Sequence, residues 1–238
     1  LKGNNRADFE NQLVENIRRH LDAQNKTYAH IFKVYGRILV YGRDLNCLKT
    51  VFGIENISSA EEFPLDLDII SKESLLIISE KNPSSFKVDT QRIDKSFPKK
   101  SMEINKIIGA TIHETTHIPV HMKNPSCTIG IEIIRGKAYI YTEKIKCFSG
   151  LPVATEGLVG VTINSEDDIL AALLMMKRGC NVRILNKIAP PIELIAFGMY
   201  DTDETPRLEV RSDTAIPPPT SDPRLFFPLC GMTREEIR

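Results

Sequence analysis

The sequence predicts a mixed α/β protein built from small units in series and closing on a short parallel sheet. Three observations carry this. Helix-period and strand-period stretches alternate along the 238 residues instead of segregating. Residues 158–163, 167–178 and 180–185 read as strand, helix and strand, the opening of a parallel sheet. The apolar runs are all short, so no transmembrane helix is expected. A hydrophobic content of 42% with 26% charged residues fits a globular chain long enough for more than one core.

Taken in order, residues 7–23 place Phe9, Leu13, Ile17 and Leu21 four apart, which is one face of a helix that Asn5 or Asp8 can cap. Residues 31–41 are β-branched and aromatic around Gly36, giving two strands and a turn. A short helix at 45–52 and a strand at 54–59 follow. One further strand before Lys2 would complete a ferredoxin-like βαββαβ unit. Residues 66–79 and 101–112 are the next helices, with Leu67, Ile70 and Ile77, then Ile104, Ile107, Ile108 and Ile112, facing inward. Strands at 127–134 and 137–145 meet at Arg135-Gly136, a hairpin signal. Gly179 ends the helix at 167–178, residues 192–199 form one more apolar element, and 201–224, rich in Pro, Asp and Thr, reads as loop. These patterns divide the chain at 1–62, 63–149 and 150–238.

The formal net charge of zero conceals an asymmetry: +1 over 1–62, +3 over 63–149 (the same to residue 150) and −4 over the remainder. The first two thirds can meet nucleic acid, and the last third as a whole would repel it. Five cysteines, an odd number with no Cys-x-x-Cys pair, point to reduced thiols in a cytoplasmic setting, without a disulfide framework or zinc ribbon.

The most basic stretch lies between a strand ending near Val88 and a helix capped by Ser101. From Lys81 to Lys100 there are six basic and two acidic side chains, a net of +4. Such a loop beside the outward N–H groups of a helix start can receive a phosphate backbone, or it is a solvated surface loop. His113-Glu114-Thr115-Thr116-His117 matches the H-E-x-x-H zinc pattern. The helix is expected to end before both histidines share a face, because Thr115, Thr116 and Ile118 are β-branched and Pro119 follows. A solvated helix end is the reading preferred here.

The stretch FKVDTQRIDKSFPKKSM at 86–102 resembles the signature of a THUMP domain, an RNA-binding module of tRNA-modifying enzymes. LKGNNRADFENQLVENI at 1–17 resembles the N-terminal ferredoxin-like domain of ThiI-type tRNA 4-thiouridine synthetases. IEIIRGKAYIYTEKI at 131–145 resembles the last THUMP hairpin, and GLPVATEG at 150–157 the linker into a PP-loop ATP-binding domain. LMMKRG at 174–179 and FFPLCGMTREEI at 226–237 resemble later parts of that domain. The resemblance implies a ferredoxin-like unit, a THUMP domain and a shortened parallel α/β PP-loop-like domain. It also implies a partner, the acceptor end of tRNA, and RNA contacts at Lys2, Arg6, Arg37, Arg92 and Lys95; Lys99 and Lys100 join them on charge alone. The alternative for Arg37 and Arg92 is a structural ion pair.

In the PP-loop family the first strand ends in Ser-Gly-Gly-x-Asp-Ser. Here those positions hold Ile163, Asn164, Ser165, Glu166, Asp167 and Asp168, and only Asp167 agrees. Ser165 and Asp168 are spaced as a capping box, so the resemblance implies a vestigial nucleotide loop, Asn164 to Asp168, that caps itself. No catalytic residue, metal ligand or cofactor is assigned. ATP and Mg²⁺ enter only under the alternative of an active, ATP-dependent tRNA sulfurtransferase, for which Cys180 or Cys230 could carry sulfur, although the preferred reading of each is a small buried hydrophobe. Cys147, Ser149 and Ala154 stand where the family's linker has glycines. A homodimer and a sulfur-donor or modifying partner protein are further expectations.

Overall fold

The computed structural model describes residues 5–34 and 36–200, together with two strand backbones, Leu208–Val210 and Leu225–Phe226. The elements are α1 (Arg6–Ala23), β1 (Tyr28–Val34), β2 (Arg37–Gly42), a 3-10 helix (Leu45–Thr50), β3 (Asn56–Ile57), β4 (Glu61–Pro64), α2 (Leu67–Lys81) and β5 (Phe86–Arg92). They continue as α3 (Ser101–Thr116), β6 (Cys127–Ile134), β7 (Lys137–Tyr141), β8 (Ile145–Lys146), β9 (Leu158–Val161), α4 (Glu166–Lys177), β10 (Asn181–Ile184), α5 (Ile192–Ala196), β11 (Leu208–Val210) and β12 (Leu225–Phe226). None of the described helices is long and apolar enough to cross a membrane. Two compact units emerge: residues 1–33, 37–57 and 146–238 form one, and 34–36 with 58–145 the other.

In the second unit α2 and α3 lie against a four-stranded sheet ordered β4-β7-β6-β5. The pair β5 and β6 is parallel, from Phe86 opposite Cys127 to Arg92 opposite Ile133, and α3 is its crossover. Alternation puts Phe86 and Val88 of β5 and Ile129, Ile131 and Ile133 of β6 inward, where they meet Ile70, Ile78, Ile104, Ile108 and Ile112. All except Val88 (5% exposed) are wholly buried. The Arg135-Gly136 turn has positive φ at both residues, 48° and 72°, the geometry of a tight hairpin. A strand that sequence reading misses, β4, forms one edge of this sheet. Its Glu61, Glu62 and Pro64 carry no strand pattern in the sequence, but charge and proline are how edge strands are protected.

The first unit contains the ferredoxin-like elements and the parallel sheet. Ile17 and Leu21 of α1 pack with Leu48, Val51, Ile31, Ile38 and Val40, so α1 covers one face of the β1–β2 sheet. The strand expected at 54–59 shrinks to β3 and does not join β1 and β2. Its backbone is engaged elsewhere: Gly53 N–H donates to Ser149 O, Ser149 N–H to Ile54 O and Cys147 N–H to Glu55 O. The helix expected at 45–52 is the shorter, tighter 3-10 turn. The parallel sheet runs β10-β9-β11-β12, with α4 crossing from β9 to β10. Residues 201–224 are therefore not loop throughout, since Leu208–Val210 pairs with Val159–Val161. Phe52 and Val153 lie in the same core as Val159, Val161 and Met176, which joins the first and last thirds of the chain in one unit.

The linker has a backbone suited to glycine at two positions that carry a side chain. Ser149 has φ of 57° and Ala154 of 74°, both left-handed, where a Cβ costs about 1–2 kcal/mol. Ala154→Gly removes that strain and gives back only part of the gain through the larger chain entropy of the unfolded state. We expect it to raise stability by about 0.5–1 kcal/mol, read as a higher urea midpoint at unchanged m; a lower midpoint contradicts it.

Candidate nucleic-acid interface

The basic loop runs from the end of β5 to the start of α3, and an arginine shapes it from within. The strand continues past Val88 to Arg92, because β6 supplies pairing partners up to Ile133. The Arg92 Nη1 donates to Phe97 O at 2.6 Å and to Lys99 O at 2.7 Å. Phe97 packs on the core of the unit, so the loop is fastened at its middle. Asp94 accepts from Ser96 N–H at 2.9 Å, and the Ser96 hydroxyl and amide hold its carboxyl below the usual range. Lys95, Lys99 and Lys100 are left exposed, and their Nζ atoms have no hydrogen-bond or ion-pair partner among the described residues.

The N-cap of α3 is Lys100, not Ser101. Glu103 accepts from Lys100 N–H at 2.6 Å, so the helix start is capped by its own first-turn carboxylate. The positive charge this face offers to a phosphate therefore comes from ammonium groups and not from the Lys100 amide.

The other residues expected at RNA lie in the first unit. Lys2 falls outside the described residues. Arg6 pairs with Glu10 at 2.6 Å one turn along α1, and Arg37 opens β2, half-buried. The H-E-x-x-H segment is more helical than its β-branched residues suggest: α3 runs through Thr116 and His117 caps it with φ of 58°. His113 Nδ1 meets Ile118 O at 2.8 Å. Among the described residues there is no group of three side chains able to hold a metal ion.

The start of α4 is closed on itself. Ser165 is the N-cap and its Oγ accepts from Asp168 N–H at 3.4 Å. The Asp168 Oδ2 accepts from Asn164 N–H at 2.9 Å, from Ser165 N–H at 2.9 Å and from Ser165 Oγ at 2.8 Å. Three amides around this turn are thereby engaged, two of them by a buried carboxylate. Just before them, Asn186 donates to Ile163 O at 2.7 Å and accepts from Ile163 N–H at 3.1 Å. Glu166 and Asp167 add two more carboxylates in the first turn. The amides of Glu166 and Asp167 have no acceptor among the described residues, but the three first-turn carboxylates give this helix start a negative field, which opposes a polyphosphate.

Burial raises the thiols of Cys47, Cys127, Cys147 and Cys180 above their ordinary value, which keeps them protonated and poor nucleophiles. Cys180 is a small buried side chain next to Gly179, and Cys230 lies outside the described residues. For Arg92 the structural alternative is nearer than the phosphate contact, but its hydrogen-bond partners are backbone carbonyls and not the carboxylate of an ion pair. The capping box of Ser165 and Asp168 is visible in their spacing.

Removing the Asp168 carboxylate leaves two turn amides without their acceptor. Asp168→Ala is expected to cost about 2–3 kcal/mol in denaturant unfolding and Ser165→Ala about 1 kcal/mol. Equal, negligible losses would mean that the turn is held by something else.

The comparisons with known proteins agree with this architecture. The model of the THUMP domain matches residues 66–143, and that of the ThiI ferredoxin-like domain residues 1–58. A probable tRNA sulfurtransferase of Thermoanaerobacter sp. (strain X514) is 35% identical over 198 residues, covering 80% of this chain and 51% of that protein. That of Natranaerobius thermophilus is 39% identical, covering 76% and 48%. The chain thus spans about half the length of the curated relatives it matches. Among solved structures, PH1313 from Pyrococcus horikoshii superposes with a TM-score of 0.83 at 32% identity, over 98% of this chain and 93% of that one. A 4-thiouridine synthetase solved with RNA and ATP gives 0.65 at 30% identity, over 77% of this chain and 49% of its own. By these matches, and by the domains they cover, the chain belongs to the ThiI family of THUMP-domain proteins.

Proposed function

We propose that this chain recognises the acceptor end of tRNA and has no working ATP site of its own. The observation that carries RNA recognition is the fastened loop, which presents Lys95, Lys99 and Lys100 on a THUMP scaffold with no carboxylate partner. Arg92 holds that loop in shape through Phe97 and Lys99, so it positions the lysines. Arg6, Arg37 and Lys2 extend the expected contacts, all of the phosphate-positioning kind that fixes register without reading sequence. A 4-thiouridine synthetase related to this chain was solved with RNA, which supports the same partner. The self-capped turn at Asp168 supports the loss of nucleotide binding. In this reading the protein acts in the cytoplasm, alone or as a homodimer, and helps a modifying or sulfur-donating partner reach tRNA.

A second reading has a specific observation behind it, because the matched curated relatives are named tRNA sulfurtransferases. An active enzyme would adenylate a uridine with ATP and Mg²⁺ and replace its oxygen by sulfur. It needs phosphate contacts that avoid the Asn164 and Ser165 amides. ATP-dependent formation of 4-thiouridine by the purified chain would establish it.

The RNA reading is tested by filter binding to a tRNA transcript over a range of salt. The triple substitution Lys95→Gln, Lys99→Gln, Lys100→Gln is expected to flatten the plot of log affinity against log salt by about 2–3 units. Arg92→Ala, which frees the loop, should weaken binding while changing the slope less. An unchanged slope in the triple variant contradicts the assignment.

A further inference from the structure

The face of the β1–β2 sheet turned away from α1 carries aromatic side chains that the loop of the second unit does not account for. His30 and Phe32 alternate along β1, and Tyr41 stands beside Phe32 from β2. The ring centroids of His30 and Phe32 are 5.6 Å apart, and those of Phe32 and Tyr41 5.7 Å with planes at 87°. The opposite face is occupied: Ile31, Ile38 and Val40 pack on the core under α1, and Lys33 donates to Asn11 of α1 at 2.6 Å. Phe32 is 42% exposed, His30 is exposed and Tyr41 half-buried.

The charge that the strands put beside these rings is positive. Strand alternation sets Arg37 of β2 on the same face as Tyr41, with Arg43 and then Asp44 just past the strand end, whereas Lys33 lies on the other face, where it meets Glu10 of α1 at 3.9 Å; the strand residues 28–34 and 37–42 hold no carboxylate. A second copy of the face would bring like charges together, which disfavours self-pairing here. An apolar partner would gain nothing from the cations. A nucleotide matches both features, since its base has a π face for the rings and its phosphate is drawn by the positive field. We infer that His30, Phe32 and Tyr41 form a stacking platform for an unpaired nucleobase of the bound RNA. Phe32, flanked by the other two rings, is the central contact. Stacking of this kind tolerates any base and adds no counterion release, so it contributes affinity that salt does not remove.

The inference rests on the RNA-binding reading, and the two are separable. Wild-type protein, Phe32→Ala and Phe32→Tyr are titrated with tRNA, with a short single-stranded oligoadenylate and with an abasic ribose-phosphate oligomer of the same length. Phe32→Ala is expected to weaken oligoadenylate binding about ten-fold, to leave the abasic oligomer and the salt slope unchanged, and Phe32→Tyr to bind as wild type. Wild-type protein that fails to bind tRNA overturns the RNA reading and this inference with it. Wild-type protein that binds tRNA while Phe32→Ala binds all three ligands as tightly overturns the platform alone. So does an equal loss on both oligomers, or a dimer in sedimentation that Phe32→Ala dissociates.

Discussion

The carboxylate of Asp168 decides what the first turn of α4 can do. It is buried, 8% exposed, and it gathers the amides of Asn164 and Ser165 together with the Ser165 hydroxyl. A strand-to-helix turn in a parallel sheet ordinarily leaves amides pointing outward with the positive end of the helix dipole behind them, a ready anion site. Here the Asn164 and Ser165 amides point at a side chain from within the same turn. The negative charge that the dipole favours is already in place, and Glu166 and Asp167 add to it. The sheet around the turn is intact, with β9 and β10 in parallel register and Asn186 closing the end of β9 against Ile163.

The linker carries strain of its own. Ser149 and Ala154 occupy left-handed backbone that suits glycine, so the chain path is kept at a cost in strain. In the second unit the local chemistry serves the scaffold. Arg92 reaches back to the carbonyls of Phe97 and Lys99, Asp94 holds Ser96, and Glu103 caps Lys100. A lysine-rich loop would otherwise be a poor platform, since each long side chain loses rotamer freedom when it binds. Fixing the backbone beneath the lysines lowers the part of that cost that belongs to the loop.

Much of this was legible in the sequence because it depends on periodicity and local spacing. The inward Ile104, Ile108 and Ile112 of α3, the Arg135-Gly136 hairpin, the strand-helix-strand opening of the parallel sheet and the Ser165–Asp168 box all follow from residues close together in the chain, whereas Ile107, expected inward with them, is 38% exposed. What escaped depends on partners distant in sequence or on backbone groups. The charged edge strand β4 exists because β7 pairs with it. Residues 53–55 give up the ferredoxin-like sheet because residues 147–149 return to bond them. Arg92 reads as a phosphate contact or an ion-pair partner until the carbonyls it meets are seen, and Leu208–Val210 reads as loop amid prolines until β9 is placed beside it. The aromatic face of β1–β2 had no signal beyond alternation, because exposure is a property of the folded unit.

The central claim is that the turn at Asp168 no longer receives a nucleotide, and calorimetric titration of the protein with ATP and Mg²⁺, with and without bound tRNA, tests it most directly. The account predicts no detectable heat of ATP binding in either case while tRNA binding persists and falls steeply with salt. Saturable ATP binding with a dissociation constant in the micromolar range would contradict it, and would make the chain a nucleotide-using member of its family.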